Sequence, residues 1–382
     1  MRRSRGRRLC ETAVLLALAT AMGSLFLFAL GIDALEGRSE FQFYADSSSY
    51  HEAMRGNLVG LDGFTDLIGV AGNFLGPLLV LRLTGENYYL VLLLNAVLMF
   101  GSIASIARTL GLDSLRLACL LLLNPLTVSS LLAVNKEVLS LVFLALLLHG
   151  LASRSLFLLL AAAGVSVLVR WQLALVQILL LVLLPLATTQ PMGQRRRIVL
   201  VSLLVGLSVA YSALLPVFEP IRATFELSVS EYEGSGFYEW LVGWQDAGAY
   251  WAVFPLKAAH LLFGLGLRID RLLAPVNIYN DVWQLLHSTA TLLMFVALWR
   301  AGRMRLNNDL VFVSAIYVAV FALSPIYSPR YFYPVYVLWA VALAAPQQLV
   351  SLVRPRARRR TRRPAAVGFH PGIAPESSPD LR

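Results

Sequence analysis

The chain has 382 residues, of which 58% are hydrophobic and only 14% charged, and its formal net charge is +10. An ordinary water-soluble domain, with about a quarter of its residues charged, is excluded by this composition. A nucleic-acid surface is excluded by where the basic residues sit, in short runs beside apolar stretches rather than along a groove. Two cysteines, Cys10 and Cys119, cannot build a disulfide framework, and the five histidines show no metal-ligand spacing. No Gly-rich phosphate loop is present, so neither a metal nor a cofactor is expected.

In chain order, five arginines within the first eight residues precede the apolar run 13–30. Such a start resembles a signal peptide. However, the run exceeds the usual 7–15 residues and no small-x-small cleavage site follows, so an uncleaved first helix is expected. Emerging from it, residues 31–66 form a first outer loop. The run 67–83 is apolar but interrupted by Gly69, Gly72, Gly76 and Pro77, and is read as interfacial or re-entrant. Residues 89–107 then descend to Arg108 and Arg116, 117–134 rise, 138–151 descend, 156–169 rise, and 173–186 descend to the cluster Arg195, Arg196 and Arg197. Residues 198–215 rise into a second outer loop, 216–280, within which 247–266 is again read as interfacial. Residues 282–299 descend onto Arg300, Arg303 and Arg305, 310–325 rise, and 333–349 descend to seven arginines between Arg354 and Arg363.

This threading leaves most basic residues on the cytoplasmic side, the asymmetry of the positive-inside rule. Backbone in lipid must satisfy its own hydrogen bonds, which demands helices. The expected fold is therefore all-α, a polytopic membrane helix bundle of about ten transmembrane helices with interfacial helices in two outer loops and both termini cytoplasmic. Twelve spans is the alternative; it would carry Arg195–Arg197 outside. Residues 1–353 form the membrane domain, and 354–382 a basic, disordered tail.

On the outer face the threading collects ionisable groups at span ends, a functional hypothesis by default. The first loop brings Asp46, Tyr50, His51 and Glu52. The turn Asn135-Lys136-Glu137 joins two spans, Arg170-Trp171-Gln172 joins two more, and Ser328-Pro329-Arg330-Tyr331 precedes the last. Each has an ordinary explanation. Asp46 or Ser49 could cap a short helix, with Ser49 and Glu52 at capping-box spacing; Lys136 could snorkel, with Glu137 marking the interface; the tyrosines near Arg330 could be interface belt. The functional reading makes Asp46 a general base or orienting carboxylate, with Tyr50 and His51 shaping its site. Lys136, Arg170 and Arg330 then form a site for an anionic headgroup, since guanidinium forks suit phosphate oxygens and lysine adds a point charge. Prolines on both sides of Arg330 would aim it. In the second outer loop, Trp240 and Trp244 read as an aromatic belt on an amphipathic helix, and the roles of Glu231, Glu233, Glu239 and Asp246 are left open.

An early outer-loop Asp followed four residues later by Tyr, an interfacial helix after that loop, and Arg330-Tyr331 before the last span resemble the GT-C class of integral-membrane glycosyltransferases. The Asn-Lys-Glu turn and Arg-Trp-Gln are similar to bacterial polysaccharide-assembly proteins related to that class. The resemblance covers the layout of most of residues 1–350. It implies a transferase of the bacterial inner membrane that uses a polyprenyl-phosphate sugar as donor and acts on a glycan, lipid or protein acceptor for cell-envelope polysaccharide. It makes Asp46 the catalytic carboxylate and Arg330 the holder of the donor phosphate. Tyr50, His51, Lys136, Glu137, Arg170, Gln172 and Tyr331 are then expected to bind substrate. Many members carry Asp-Asp, Asp-Glu or Asp-x-Asp in the first loop, whereas Ser47 follows Asp46, so no metal is assigned. Two alternatives use the same cations: a transporter or flippase for a lipid-linked glycan, and a polymerase joining lipid-linked repeat units.

Overall fold

The computed structural model describes residues 2–31, 46–54, 72–187, 192–213, 236–265, 282–325, 327–345 and 352. Its elements are all helical, arranged as a bundle without a strand among the described residues. Most of both outer loops, Glu231 and Glu233, and the tail 354–382 lie outside the described residues.

The first helix, α1 (Arg2–Leu30), packs against α4 (Tyr88–Leu110) and α5 (Ser114–Leu122), and a Thr12–Ser114 hydrogen bond of 3.0 Å ties its basic end to α5. Its outward stripe is apolar: Val14, Leu18, Met22, Leu25 and Phe28 are all exposed. The same holds for Phe157 and Leu160 on α8 (Leu156–Val169), Ile178 and Val182 on α9 (Trp171–Leu186), and Val201 and Val209 on α10 (Met192–Ala213). Among the described residues, three helical stretches are long and apolar enough to cross a membrane, Gly6–Ala29, Tyr88–Leu110 and Met192–Ala213. Several others are apolar but shorter.

Sequence reads 117–134 as one straight span; the structure breaks it. Helices α5 and α6 (Pro125–Leu132) meet at 90°. The cause is local. Asn124 is extended, its side-chain oxygen accepts the Leu126 N–H at 3.0 Å, and Pro125 opens the new helix, where its missing N–H costs nothing. The far end of α6 is held by Asn95, a lone amide in the apolar α4. Its Nδ2 donates to the carbonyls of Ser130, Leu131 and Ala133 at 3.0–3.3 Å. That capping delivers the chain directly into Asn135-Lys136-Glu137 at the start of α7 (Glu137–Ser153).

Short α3 (Gly72–Thr84) lies against α8, with Gly76 so close that a Cβ would stand 2.6 Å from the Leu168 carbonyl oxygen. Its other end reaches Glu86, which bonds His51 of α2 (Ser47–Met54). Both ends of α3 therefore meet the same end of the bundle, the end carrying Arg170 and Lys136. At the centre, α15 (Tyr333–Ala344) touches α5, α7, α13 (Gln284–Arg300) and α14 (Asp309–Phe321). Nearly every residue of α14 and α15 is buried, as uniformly apolar helices require.

The basic clusters do more than flank spans. Arg195 and Arg197 are exposed, but Arg196 is fully buried on α10. Its guanidinium bonds Asp309 and the Leu306 carbonyl and sits 4.9 Å from the Phe312 ring centroid. Arg303 donates from Nη1 to the carbonyls of Ala342, Leu343 and Ala345 at 2.7–3.0 Å, capping the C-terminus of α15. The orphan carbonyls after α14 are met in the same way. Gln245 Nε2 donates to Leu323 O at 2.7 Å, and Lys257 Nζ donates to Ser324 O at 3.0 Å. These donors come from a π-helical turn (Gln245–Ala249) and α12 (Tyr250–Phe263), which follow α11 (Gly236–Trp244). On α11, Tyr238 and Leu241 face inward while Trp240 and Trp244 are exposed, the arrangement expected of an interface helix. Glu239 is exposed too, and Asp246 accepts a hydrogen bond from Tyr211 Oη at 2.8 Å.

Candidate functional site

Four segments far apart in sequence converge at one end of the bundle. Asp46 precedes α2 in a left-handed conformation, φ 56°, which a short polar side chain tolerates. Its carbonyl accepts the Tyr50 N–H at 3.1 Å, starting the helix. Ser49 lies inside α2, so the capping-box alternative is not the arrangement found. The Asp46 carboxylate instead meets Arg330, whose Nη2 lies 3.1 Å from Oδ1 and 2.8 Å from Oδ2. Tyr50 Oη donates to the same carboxylate at 3.3 Å, and Lys136 Nζ lies 5.7 Å from the centre of the Tyr50 ring.

Arg170 is the single extended residue between α8 and α9, its N–H bonded to Ser166 O at 2.8 Å. The guanidinium lies 4.0 Å from the centroid of Tyr331 and 3.9 Å from Glu137 Oε1. Arg330 lies 5.6 Å from the same Tyr331 centroid, so two guanidinium groups share one ring. Gln172, in the first turn of α9, has a buried Oε1 without a hydrogen-bond partner among the described residues. His51 turns away from this group. Its Nδ1 lies 3.2 Å from Glu86 Oε2 and its ring stacks on Tyr88, so it braces α2 against the α3–α4 junction instead of meeting Arg330.

Three cations and two carboxylates thus share a small volume, leaving one positive charge in excess when all are ionised. Burial by itself would raise the Asp46 carboxyl pKa. The charges of Arg330, Lys136 and Arg170 and the Arg330 hydrogen bond outweigh it and hold that carboxyl below its ordinary value. Asp46 is a carboxylate at neutral pH, and a weak base. Lys136 is displaced the other way, down to about 7, first by burial and then by Arg170, with Asp46 opposing. Its charge is therefore responsive to an arriving anion near neutral pH. An oxyanion of a headgroup can be met here by two planar guanidinium groups and one ammonium, while Asp46 and Tyr50 offer polar contacts to a hydroxyl.

Behind the charged groups stands a layer that sequence reasoning missed. His287 on α13 bonds Asn124 and the Pro329 carbonyl, Tyr317 Oη donates to Tyr331 O at 2.9 Å, and Thr127 pairs with Tyr333 Oη at 3.0 Å. The signals existed: an Asn-Pro step within an apolar run, and a histidine in another. No protein-family model, curated protein or solved structure matches the chain.

Proposed function

We propose that the chain is a membrane glycosyltransferase that moves a sugar from a polyprenyl-phosphate donor to a hydroxyl acceptor on the non-cytoplasmic face. The observation that carries this reading is the contact of Asp46 with Arg330, 284 positions away, inside a ring that also holds Lys136 and Arg170. A cluster in which three cations outnumber the carboxylates Asp46 and Glu137 suits a reaction whose leaving group is already an anion. The acceptor oxygen attacks the anomeric carbon, the bond from that carbon to the phosphate oxygen breaks, and its electron pair leaves with the phosphate. Arg330, Arg170 and Lys136 stabilise the charge that grows there. Asp46, paired with Arg330 and weakly basic, orients the hydroxyl by accepting its hydrogen bond. The proton passes to the departing phosphate, whose second ionisation lies near neutral pH.

Changing Asp46 to Asn keeps the size and removes the charge. Expressed at wild-type level in a strain lacking the chain, this variant is expected to lose glycan product by roughly 10²-fold or more while the lipid-linked donor accumulates. Wild-type glycan at normal protein abundance would remove Asp46 from the chemistry. A second reading, transport of a lipid-linked glycan, is favoured by the broken α5–α6 pair, since discontinuous helices mark many transporters. Donor accumulating only in the cytoplasmic leaflet of that strain would favour it.

The same proposal places the site outside a ten-span membrane domain with cytoplasmic termini. The apolar outward stripes of α1, α8, α9 and α10 support burial of those helices in lipid. With the exposed Cys10 and Cys119 replaced, engineered cysteines at Ser49 and Asn135 are expected to label from outside. One at the exposed Arg197 should label only after permeabilisation. Outside labelling at Arg197 would instead select the twelve-span threading.

A further inference from the structure

Arg330 lies in a 3₁₀ turn (Pro329–Phe332) that is held from behind, as is Tyr333 just after it. Tyr331 O accepts from Tyr317, Tyr333 Oη pairs with Thr127, and the Pro329 carbonyl lies 3.2 Å from His287 Nε2. The last contact fixes the chemistry of a fully buried imidazole. A carbonyl can only accept, so Nε2 carries the hydrogen. On the other side of the ring Nδ1 faces the Asn124 amide, 2.9 Å from Nδ2 and 3.2 Å from Oδ1; with the hydrogen on Nε2, Nδ1 of the neutral ring can only accept, so Nδ2 is its donor while Oδ1 accepts the Leu126 N–H. The directed chain runs from the Leu126 N–H to the Asn124 amide, from that amide to Nδ1, and from Nε2–H to Pro329 O. It spans from the 90° break between α5 and α6 to the residue immediately before Arg330.

From this geometry we infer that His287 is a positioning residue, which aims Arg330 at its anion by holding the Pro329 carbonyl through Nε2–H. The inference rests on the headgroup reading of the Arg330 cluster and adds to it the device that sets Arg330. It also explains why a neutral, doubly bonded histidine occupies an apolar helix. A hydrocarbon side chain there would leave both the Asn124 amide and the Pro329 carbonyl without their buried partner. The α5–α6 break is thereby coupled to the Arg330 turn: Asn124 shapes the first and, through His287, restrains the second.

The discriminating variants differ in which ring nitrogen they imitate. A Gln amide nitrogen reaches about where Nε2 stands, whereas that of Asn reaches about where Nδ1 stands. The full chain in phosphatidylcholine nanodiscs would be titrated with decaprenyl monophosphate, alongside melting temperatures of each variant. His287→Leu and His287→Asn are expected to weaken binding about tenfold or more, and His287→Gln to remain within about threefold of wild type. A purely structural role would make affinity follow melting temperature across the three, with no rescue specific to Gln. That pattern, or wild-type affinity in His287→Asn, overturns the inference. If His287→Leu does not fold, the Gln and Asn pair decides alone. Arg330→Ala serves as the reference: wild-type affinity there overturns the headgroup reading and this inference together. Weak binding by Arg330→Ala with unaltered binding by His287→Asn overturns only the positioning role.

Discussion

Transfer activity is expected to fall about 10²–10³-fold in Arg330→Ala, the range seen when one preorganised group facing a developing oxyanion is removed. Two losses combine. The leaving phosphate loses a guanidinium, and Asp46 loses charge-assisted hydrogen bonds at 2.8 and 3.1 Å. Arg330 is also the strongest of the groups that hold the Asp46 carboxyl below its ordinary value. Without it the opposing effect of burial gains weight and the Asp46 pKa rises. A group that must be ionised then needs a higher pH, so the residual activity of Arg330→Ala should lie at higher pH than that of wild type. Arg330→Lys keeps a charge but not the planar fork, and should fall between the two. Protein abundance should be preserved, because the tethers that hold this turn engage its backbone and Tyr333, not the Arg330 side chain. The measurement is a pH profile of transfer for the three proteins, together with the double variant carrying Asp46→Asn. Since the two residues act as a unit, the double variant should cost far less than the product of the single losses. Independent, multiplicative losses would dissolve the pair as a functional unit.

Arg196→Leu is expected to be the most destabilising single change in the basic clusters. It removes the partner of Asp309, which is almost fully buried and also accepts the Leu352 N–H. Breaking a buried pair from one side costs about 3–5 kcal/mol, because the remaining carboxylate loses the Arg196 guanidinium while staying out of water. Arg195→Leu and Arg197→Leu, on the exposed faces of the same helix, should each change stability by about 0.5 kcal/mol or less. Adding Asp309→Leu to Arg196→Leu should recover part of the loss, since the stranded charge then disappears. Thermal unfolding in one detergent, with all four proteins at equal concentration, reads these differences. Equal melting temperatures for the three single variants would mean that Arg196 carries no more than its neighbours.

The three arginines at 195–197 show where sequence stops informing. Composition and charge place the cluster beside an apolar run, and that much agrees with its position at the start of α10. Which of the three turns inward depends on helix phase relative to a partner 113 positions away. The same limit applied to α5 and α6. The apolar run is plain in the sequence, but the Asn-Pro step that breaks it is masked by the hydrophobicity on both sides of it. His287 and Asn95 are inconspicuous in the sequence for a related reason. Uncharged polar groups hardly alter the apolar character of a helix, yet each satisfies several backbone carbonyls or bridges two elements.

Charged residues in an apolar chain were conspicuous on their own. Asp46, Lys136, Arg170 and Arg330 could be selected from sequence because an ion at the end of a hydrocarbon-length helix is costly without partners. The helical class followed from the same property, since uninterrupted apolar runs leave the backbone no other way to meet its hydrogen bonds. Only tertiary packing decided that Asp46 pairs with Arg330, that two guanidinium groups approach the Tyr331 ring, and that His51 faces Glu86 instead. Apolarity and charge belong to each residue where it stands in the chain, whereas ion pairs and hydrogen bonds need two groups within about 3 Å. That proximity is created by the way the helices pack, and no single segment carries it.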